Sequence, residues 1–193
     1  MENKVQDPDW ELISKVANGD KEAFDCLVLK HQHKIINFCY RFTGNKFDAE
    51  DIAQEVFINV YKSAKRYKPK ALFTTWIYRI ATNLCLNYKR NKKRHPEESL
   101  EIIEENESRK KFVSPKSNEP DIQLLKQELS NLVQNTIQNL PENQKIALIL
   151  HRFEGMSHQD IAESMNCSIS AVESLIFRAK QNLKIALSDY IKA

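Results

Sequence analysis

Along most of this chain apolar residues recur at steps of three and four, the period of a helix with one buried face. Phe24, Leu27, Val28, His31, Ile35, Phe38 and Phe42 keep that rhythm up to Thr43-Gly44-Asn45. The pattern predicts a long packed helix, preceded by a short one that Asp9 can cap and Gly19 can end, with Asp20 capping the long one. A third helix opens at Asp48, with Asp51 three residues on in a capping-box-like start, and turns Ile52, Val56 and Val60 inward. After a proline-containing loop, Ile77, Ile80, Ala81 and Leu84 give the buried side of a fourth. β-branched alternation is scarce, and three glycines and six prolines leave little turn material for sheets. The fold class is all-α.

From Lys89 to Pro120 the rhythm lapses into a basic block, a glutamate cluster and three prolines. That composition divides the chain into a helical module over 1–94, a flexible linker over 95–120 and a second helical module over 121–193. In the second, Leu140-Pro141 starts a supporting helix that Gly155 closes. Ser157, with Asp160 three residues later, starts another running to about Met165. Asn166 tolerates the left-handed conformation that ends it, and Ser168 can cap its successor. In that successor Ile169, Val172, Ile176, Ala179 and Leu183 face inward, while Ser170, Ser174, Arg178 and Gln181 face out. Two short helices across a tight turn make a helix-turn-helix whose second helix can enter a major groove, or else an αα-hairpin with no DNA role.

Charge sharpens this division. The net charge is only +3. Residues 1–95 nevertheless hold 18 Lys and Arg against 11 Asp and Glu, residues 96–120 hold 4 against 7, and residues 121–193 hold 7 against 8. The basic excess lies in the first module, as a polyanion-binding face or as ordinary solvated surface. No stretch approaches the roughly 18 consecutive apolar residues of a membrane span, and MENKVQDPDW lacks the design of a signal peptide, so a cytoplasmic protein without membrane insertion is expected. Cys26, Cys39, Cys85 and Cys167 are widely spaced in apolar helical contexts and read as buried thiols. His31 and His33 have no ligand partner at useful spacing. No metal, cofactor or enzyme motif is visible: there is no phosphate-binding glycine loop and no H-E-x-x-H, and Ser157, His158 and Asp160 are helix-start residues rather than a triad.

Two surfaces carry candidate chemistry. Asp51, Gln54, Glu55 and Ile58 fall at i, i+3, i+4 and i+7 and form a second stripe on the third helix, either solvated surface or a dock for a partner helix. In RYKPKALFTTWIYRIATNLCLNYKR, Phe73, Trp76, Tyr78, Arg79, Asn83, Asn87, Tyr88 and Arg90 are left over from one core face. Aromatics interleaved with cations and amides suit single-stranded nucleic acid, offering faces for bases and charge for phosphates. The alternative puts Phe73 and Trp76 in the core.

Taken together, DAEDIAQEVFINVY, FTTWIYRIATN, and LPENQK followed by HRFEGMSHQDIAESMNCSISAVESLIFRAKQNL resemble the signatures of bacterial RNA polymerase sigma factors. The resemblance is to the extracytoplasmic-function class of the sigma-70 family and covers nearly the whole chain in order. It implies that the first module, region 2-like, binds the clamp of core RNA polymerase and recognises and melts the −10 promoter element. The second, region 4-like, would bind the −35 element and the polymerase flap, with an anti-sigma factor as a further partner. Carried over by position, Asp51, Gln54 and Glu55 match the core-polymerase contact, extended by Ile58. Tyr67, Lys68 and Lys70 lie in the loop that captures a flipped base, and Phe73, Thr75, Trp76, Arg79 and Asn83 in the adjoining −10 segment. Glu173, Ser174, Arg178 and Lys180 match the face on −35 DNA, with Ser170 beside them. Pro69, Lys70 and Ala71 stand where members often carry Gly, Ser or Asp, and Glu173 and Leu175 where members often carry Arg. A carboxylate at 173 repels phosphate and can accept from a cytosine amino group. The rival readings are a free-standing dimeric helix-turn-helix repressor and a helical adaptor without DNA contact.

Overall fold

A computed structural model describes residues 7–68, 71–94, 129 and 131–188 of the chain. Every regular element among them is helical. The expected linker over 95–120 lies outside the described residues.

α1 (Trp10–Ala17) and α2 (Lys21–Thr43) are separated by Asn18, Gly19 and Asp20. Asp20 caps α2 by accepting the Ala23 N–H at 3.0 Å. α2 buries Leu27, His31, Ile35, Phe38 and Phe42. Gly44 ends it in the left-handed region at φ 75°, its N–H bonded to the Tyr40 carbonyl. A β-carbon there would also press within 3.1 Å of the Gln138 side chain, so both backbone and space demand glycine. α3 (Lys46–Ser63) starts earlier than its pattern suggested. The cap is Asn45, whose carboxamide oxygen accepts the Asp48 N–H at 3.1 Å, while the Asp48 carboxylate takes the Tyr88 hydroxyl at 2.5 Å. A 3-10 turn (Ala64–Arg66) leads toward α4 (Phe73–Arg94).

In the second module a helix through 131–138, α5, precedes α6 (Glu142–Arg152), α7 (His158–Met165) and α8 (Ile169–Ala186). One buried apolar cluster runs from Ile13 through Phe38, Phe73 and Ile77 to Ile149, Ile161 and Ile176, spanning both modules. Burying each such large side chain is worth about 1.5–3 kcal/mol. An exposed ion pair such as Lys93–Glu142, at 2.6 Å between the modules, adds little by comparison. The core, not surface ion pairing, holds the modules together.

α4 is the reason the cluster is continuous. One side packs on α2, with the rings of Phe38 and Tyr78 at 5.4 Å. The other side meets α7, where the Thr75 hydroxyl donates to Asp160 Oδ1 at 3.0 Å and Ser164 donates to the Thr75 carbonyl at 3.1 Å. A second seam joins the end of α2 to α5 and α6. Gln138 Nε2 donates to the Arg41 carbonyl at 2.7 Å, and the Arg41 guanidinium sits 4.4 Å from the centre of the Phe153 ring. With two buried sides α4 has fewer residues to spare than its sequence implied: Phe73 and Tyr78 are buried rather than left over from the core. The cysteines also divide. Cys39 and Cys85 are buried, and the neighbouring Cys39 together with burial pushes the Cys85 thiol up. Cys26, off the buried face of α2, is exposed.

Candidate nucleic-acid interface

On α3, Asp51, Gln54 and Glu55 are exposed and Ile58 is half open to solvent at 50 %, while Ile52, Val56 and Val60 on the opposite side are buried. The carboxylates make no side-chain hydrogen bond or ion pair with another described residue. Tyr61, three residues beyond Ile58 and likewise exposed, lengthens the apolar end of the stripe and packs edge-on against Phe24 at 5.1 Å. The i+3 step from Ile58 to Tyr61 was the signal for it.

The loop after α3 and the start of α4 form one wall of an open cleft of about 820 Å³. Arg66, Tyr67, Lys68, Thr75, Trp76 and Arg79 line that wall, and residues of α7, its turn and the first residue of α8 line the other. Three cations therefore surround a half-buried indole. Trp76 packs on Tyr67 at 5.1 Å and on Phe73 at 5.8 Å, which braces its ring. Phe73 lies wholly beneath this surface, 5.2 Å from the His31 ring. Tyr67 is 8 % exposed, and its hydroxyl is pushed up in pKa by burial and by the neighbouring Asp7 carboxylate. Thr75 is buried against α7. Asn83 is exposed on α4 but does not line the cleft, and Lys70 lies outside the described residues. The structure thus brings Tyr67, Lys68, Thr75, Trp76 and Arg79 together. Arg66, which joins them, was missed as one cation in a basic stretch.

The helix-turn-helix forms as its caps dictate. Ser157 accepts the Asp160 N–H at 3.1 Å, Asn166 ends α7 at φ 52°, and Ser168 accepts the Ala171 N–H at 3.2 Å. The turn is closed by the Cys167 N–H on the Ala162 carbonyl at 3.0 Å. α8 buries Val172, Ile176 and Ala179 and exposes Ser170, Glu173, Ser174, Arg178 and Lys180. Glu173 Oε1 lies 3.7 Å from His158 Nδ1. Two details depart from the pattern. Ile169, expected inside, is largely exposed because it is the first helical residue and opens onto the cleft. Phe177, 62 % exposed, falls seven residues after Ser170 and three after Ser174, so it belongs to the same outward stripe.

Chemically, the first wall offers a braced aromatic face among cations, suited to an unpaired base and its phosphates, and α8 offers a small-polar stripe with a cation on either flank, suited to a groove. Among the described residues no cluster of His, Cys, Asp or Glu is arranged to hold a metal ion, and no helix is long and apolar enough to cross a membrane.

The family description Sigma-70 region 2 matches residues 27–95, and Sigma-70, region 4, matches residues 130–183. The RNA polymerase sigma-H factor of Pseudomonas aeruginosa is 39 % identical over 194 residues, covering 97 % of this chain and 98 % of that protein. The ECF RNA polymerase sigma-E factor of Haemophilus influenzae is 36 % identical over 177 residues, 91 % of this chain and 93 % of that one. The fold is shared with CnrH, solved in complex with the cytosolic domain of CnrY, at a TM-score of 0.69 and 23 % identity over 95 % of this chain and 99 % of that chain. With relatives this similar along nearly their entire length, the chain belongs to the sigma-70 family of RNA polymerase sigma factors, in its extracytoplasmic-function class.

Proposed function

We propose that three surfaces divide the work of promoter-specific initiation in this sigma factor. The α3 stripe of Asp51, Gln54, Glu55 and Ile58 docks on the clamp of core RNA polymerase. The cleft wall of Tyr67, Lys68, Thr75, Trp76 and Arg79, with Lys70 in the adjoining loop, Phe73 beneath and Asn83 one turn on, receives the unpaired −10 strand. Ser170, Glu173, Ser174, Arg178 and Lys180 face the −35 duplex. The functional units are 1–94, a linker over 95–120, and 121–193, whose second unit also meets the polymerase flap. The chain works in the cytoplasm without a catalytic group of its own, and an anti-sigma factor would act by covering these surfaces. The repressor alternative gains no support, since the relatives are RNA polymerase sigma factors by name.

The observation that carries this reading is the braced, half-buried Trp76 set among Arg66, Lys68 and Arg79. Base stacking on such a ring is worth about 1–3 kcal/mol per base, enough to offset the unstacking of one nucleotide. The Thr75 hydroxyl is committed to Asp160. Thr75 therefore reaches DNA only when α7 moves off α4, which couples promoter engagement to separation of the modules.

The test is transcription by core polymerase reconstituted with this chain on a promoter library, comparing the wild type with Trp76→Ala. The variant should bind duplex promoter in the closed complex like wild type but open it about tenfold more slowly, the loss of roughly one stacked base. Opening at the wild-type rate would remove the −10 role of the cleft. Loss of the fold would make Trp76 a core residue and nothing more.

A further inference from the structure

The segment Asp7–Trp10 precedes the residues matched to region 2, which begin at 27, yet it reaches Tyr67 in the cleft wall and Phe73 beneath it. Asp7 Oδ2 accepts the Tyr67 hydroxyl at 2.6 Å and the backbone N–H of Phe73 at 3.0 Å. Phe73 is the first residue of α4, and the residue before it is Leu72, which has no side-chain oxygen with which to cap the helix. Asp7 supplies that cap from the far end of the module. Tyr67 and Phe73 bound the loop between the 3-10 turn and α4, so one carboxylate holds both of its ends. The Tyr67 proton is shared with the Ala71 carbonyl at 2.8 Å, inside the same loop.

The strap is itself anchored. Asp7 Oδ1 accepts the Asp9 N–H at 3.0 Å. The buried Asp9 carboxylate takes His31 Nε2 at 3.0 Å and Lys30 Nζ at 2.5 Å, both on α2. This occupation explains why Asp9, at the N-cap position of α1, makes no cap bond there. Trp10 then rests against Tyr67 with ring centres 6.0 Å apart. The buried Asp9 and the partly buried Asp7 each accept more than one donor, and such carboxylates fix a backbone more firmly than an exposed turn, because releasing them leaves polar groups without partners.

We propose that Asp7 is a positioning residue for promoter opening. Through Tyr67 and the N-terminus of α4 it fixes the two residues that frame this wall of the cleft before DNA arrives. The proposal rests on the assignment of this cleft to the unpaired −10 strand. A loop that samples many shapes binds its base only in the competent fraction, and its ordering entropy is charged to base capture. With the strap in place Tyr67 and Phe73 have lost that freedom on folding. Asp7 touches no base; it acts through Tyr67 and Phe73.

The experiment uses full-length chain assembled with core RNA polymerase and a promoter carrying 2-aminopurine in the non-template strand of its −10 element. Asp7→Asn, Tyr67→Phe and the double variant are compared for core affinity, closed-complex binding and the rate at which the probe unpairs. Each single change should slow unpairing about tenfold, the size of one lost charge-assisted hydrogen bond, with closed-complex binding unchanged. The double variant should be slowed by clearly less than the product of the two single effects, since the two changes share the Asp7–Tyr67 contact. Discrimination among the four bases at the captured position should flatten, which a general loss of stability does not produce. Should Asp7→Asn fold poorly, Tyr67→Phe decides alone, because it keeps the ring packing and the α4 cap. Wild-type unpairing in the single variants alongside a slow Trp76→Ala overturns the strap's role and leaves the cleft assignment standing, and slowing that multiplies in the double variant also overturns it. If Trp76→Ala is silent as well, the cleft assignment fails and the strap's role with it.

Discussion

Replacing Lys145 with methionine removes a charge that its surroundings disfavour. The side chain is 1 % exposed on α6, where it faces the end of α2. Its Nζ donates to the Gln138 carbonyl at 2.8 Å, to Gln138 Oε1 at 3.1 Å and to the Phe42 carbonyl at 3.4 Å, and lies 5.3 Å from the Phe42 ring centre. Loss of hydration, reinforced by the nearby Lys89 charge and only partly opposed by Glu142, holds its pKa down from 10.5 to about 8. Below about pH 8 the folded and unfolded chains both carry the proton, and the folded state bears the cost of a desolvated ammonium. Between about 8 and 10.5 the folded chain has released the proton while the unfolded chain still binds it, so stability rises with pH across that window. The full excursion is about 3.5 kcal/mol, at roughly 1.4 kcal/mol per pK unit, and about 3 kcal/mol of it is realised by pH 10.5. Burial also raises the pKa of Tyr67, Tyr78 and Tyr88, and as the unfolded tyrosines ionise above about pH 10 both proteins lose stability. That loss cancels in the comparison. Urea unfolding followed by circular dichroism at steps from pH 7.5 to 10.5 should show wild type gaining on Lys145→Met by this amount. Parallel curves would mean that Lys145 is not desolvated, and with it would go the packing of α6 on the end of α2.

Charge reversal of Asp51 and Glu55 to lysine should leave unfolding within about 0.5 kcal/mol of wild type, because neither carboxylate has a partner among the described residues. The same change should cost several kcal/mol of affinity for core polymerase; co-elution with core at wild-type strength would remove α3 from the interface. Arg178 and Lys180 lie on opposite flanks of the Ser170, Ser174 and Phe177 stripe, the arrangement of cations that reach the two phosphate backbones beside a groove. Arg178→Ala should therefore weaken holoenzyme binding to all −35 sequences alike and lower the salt slope by about one unit, whereas loss of preference at a single base pair would make Arg178 a reader of guanine.

How far the chain could be read depended on the range of the forces involved. The helix-turn-helix was legible almost residue by residue, because Ser157, Asn166 and Ser168 act on backbone groups three or four positions away. The α3 stripe was legible because helical period alone separates Asp51, Gln54, Glu55 and Ile58 from Ile52, Val56 and Val60. The error at the start of α3 was also local: Asp48 and Asn45 are both competent caps, and the contest went to Asn45 once Tyr88, forty residues away, engaged Asp48.

Sequence by itself determined the all-α class, the inward faces of α2 and α3, the break between α7 and α8, and the family, since each rests on spacing along the chain. Tertiary structure alone decided which apolar faces meet. Period shows that a face will be buried but not against what, so nothing in α4 announced that its second side would pack on α7 and bury Tyr78, or that Phe73 would lie under the cleft. It also decided the destinations of carboxylates. Asp9 read as an ordinary helix cap, yet its burial beside His31 and Lys30, and the reach of the partly buried Asp7 to Tyr67 and Phe73, give these carboxylates stronger partners than α1 can offer. A buried charge takes the donors that the folded chain brings within reach, and those lie 21 to 66 residues away in sequence.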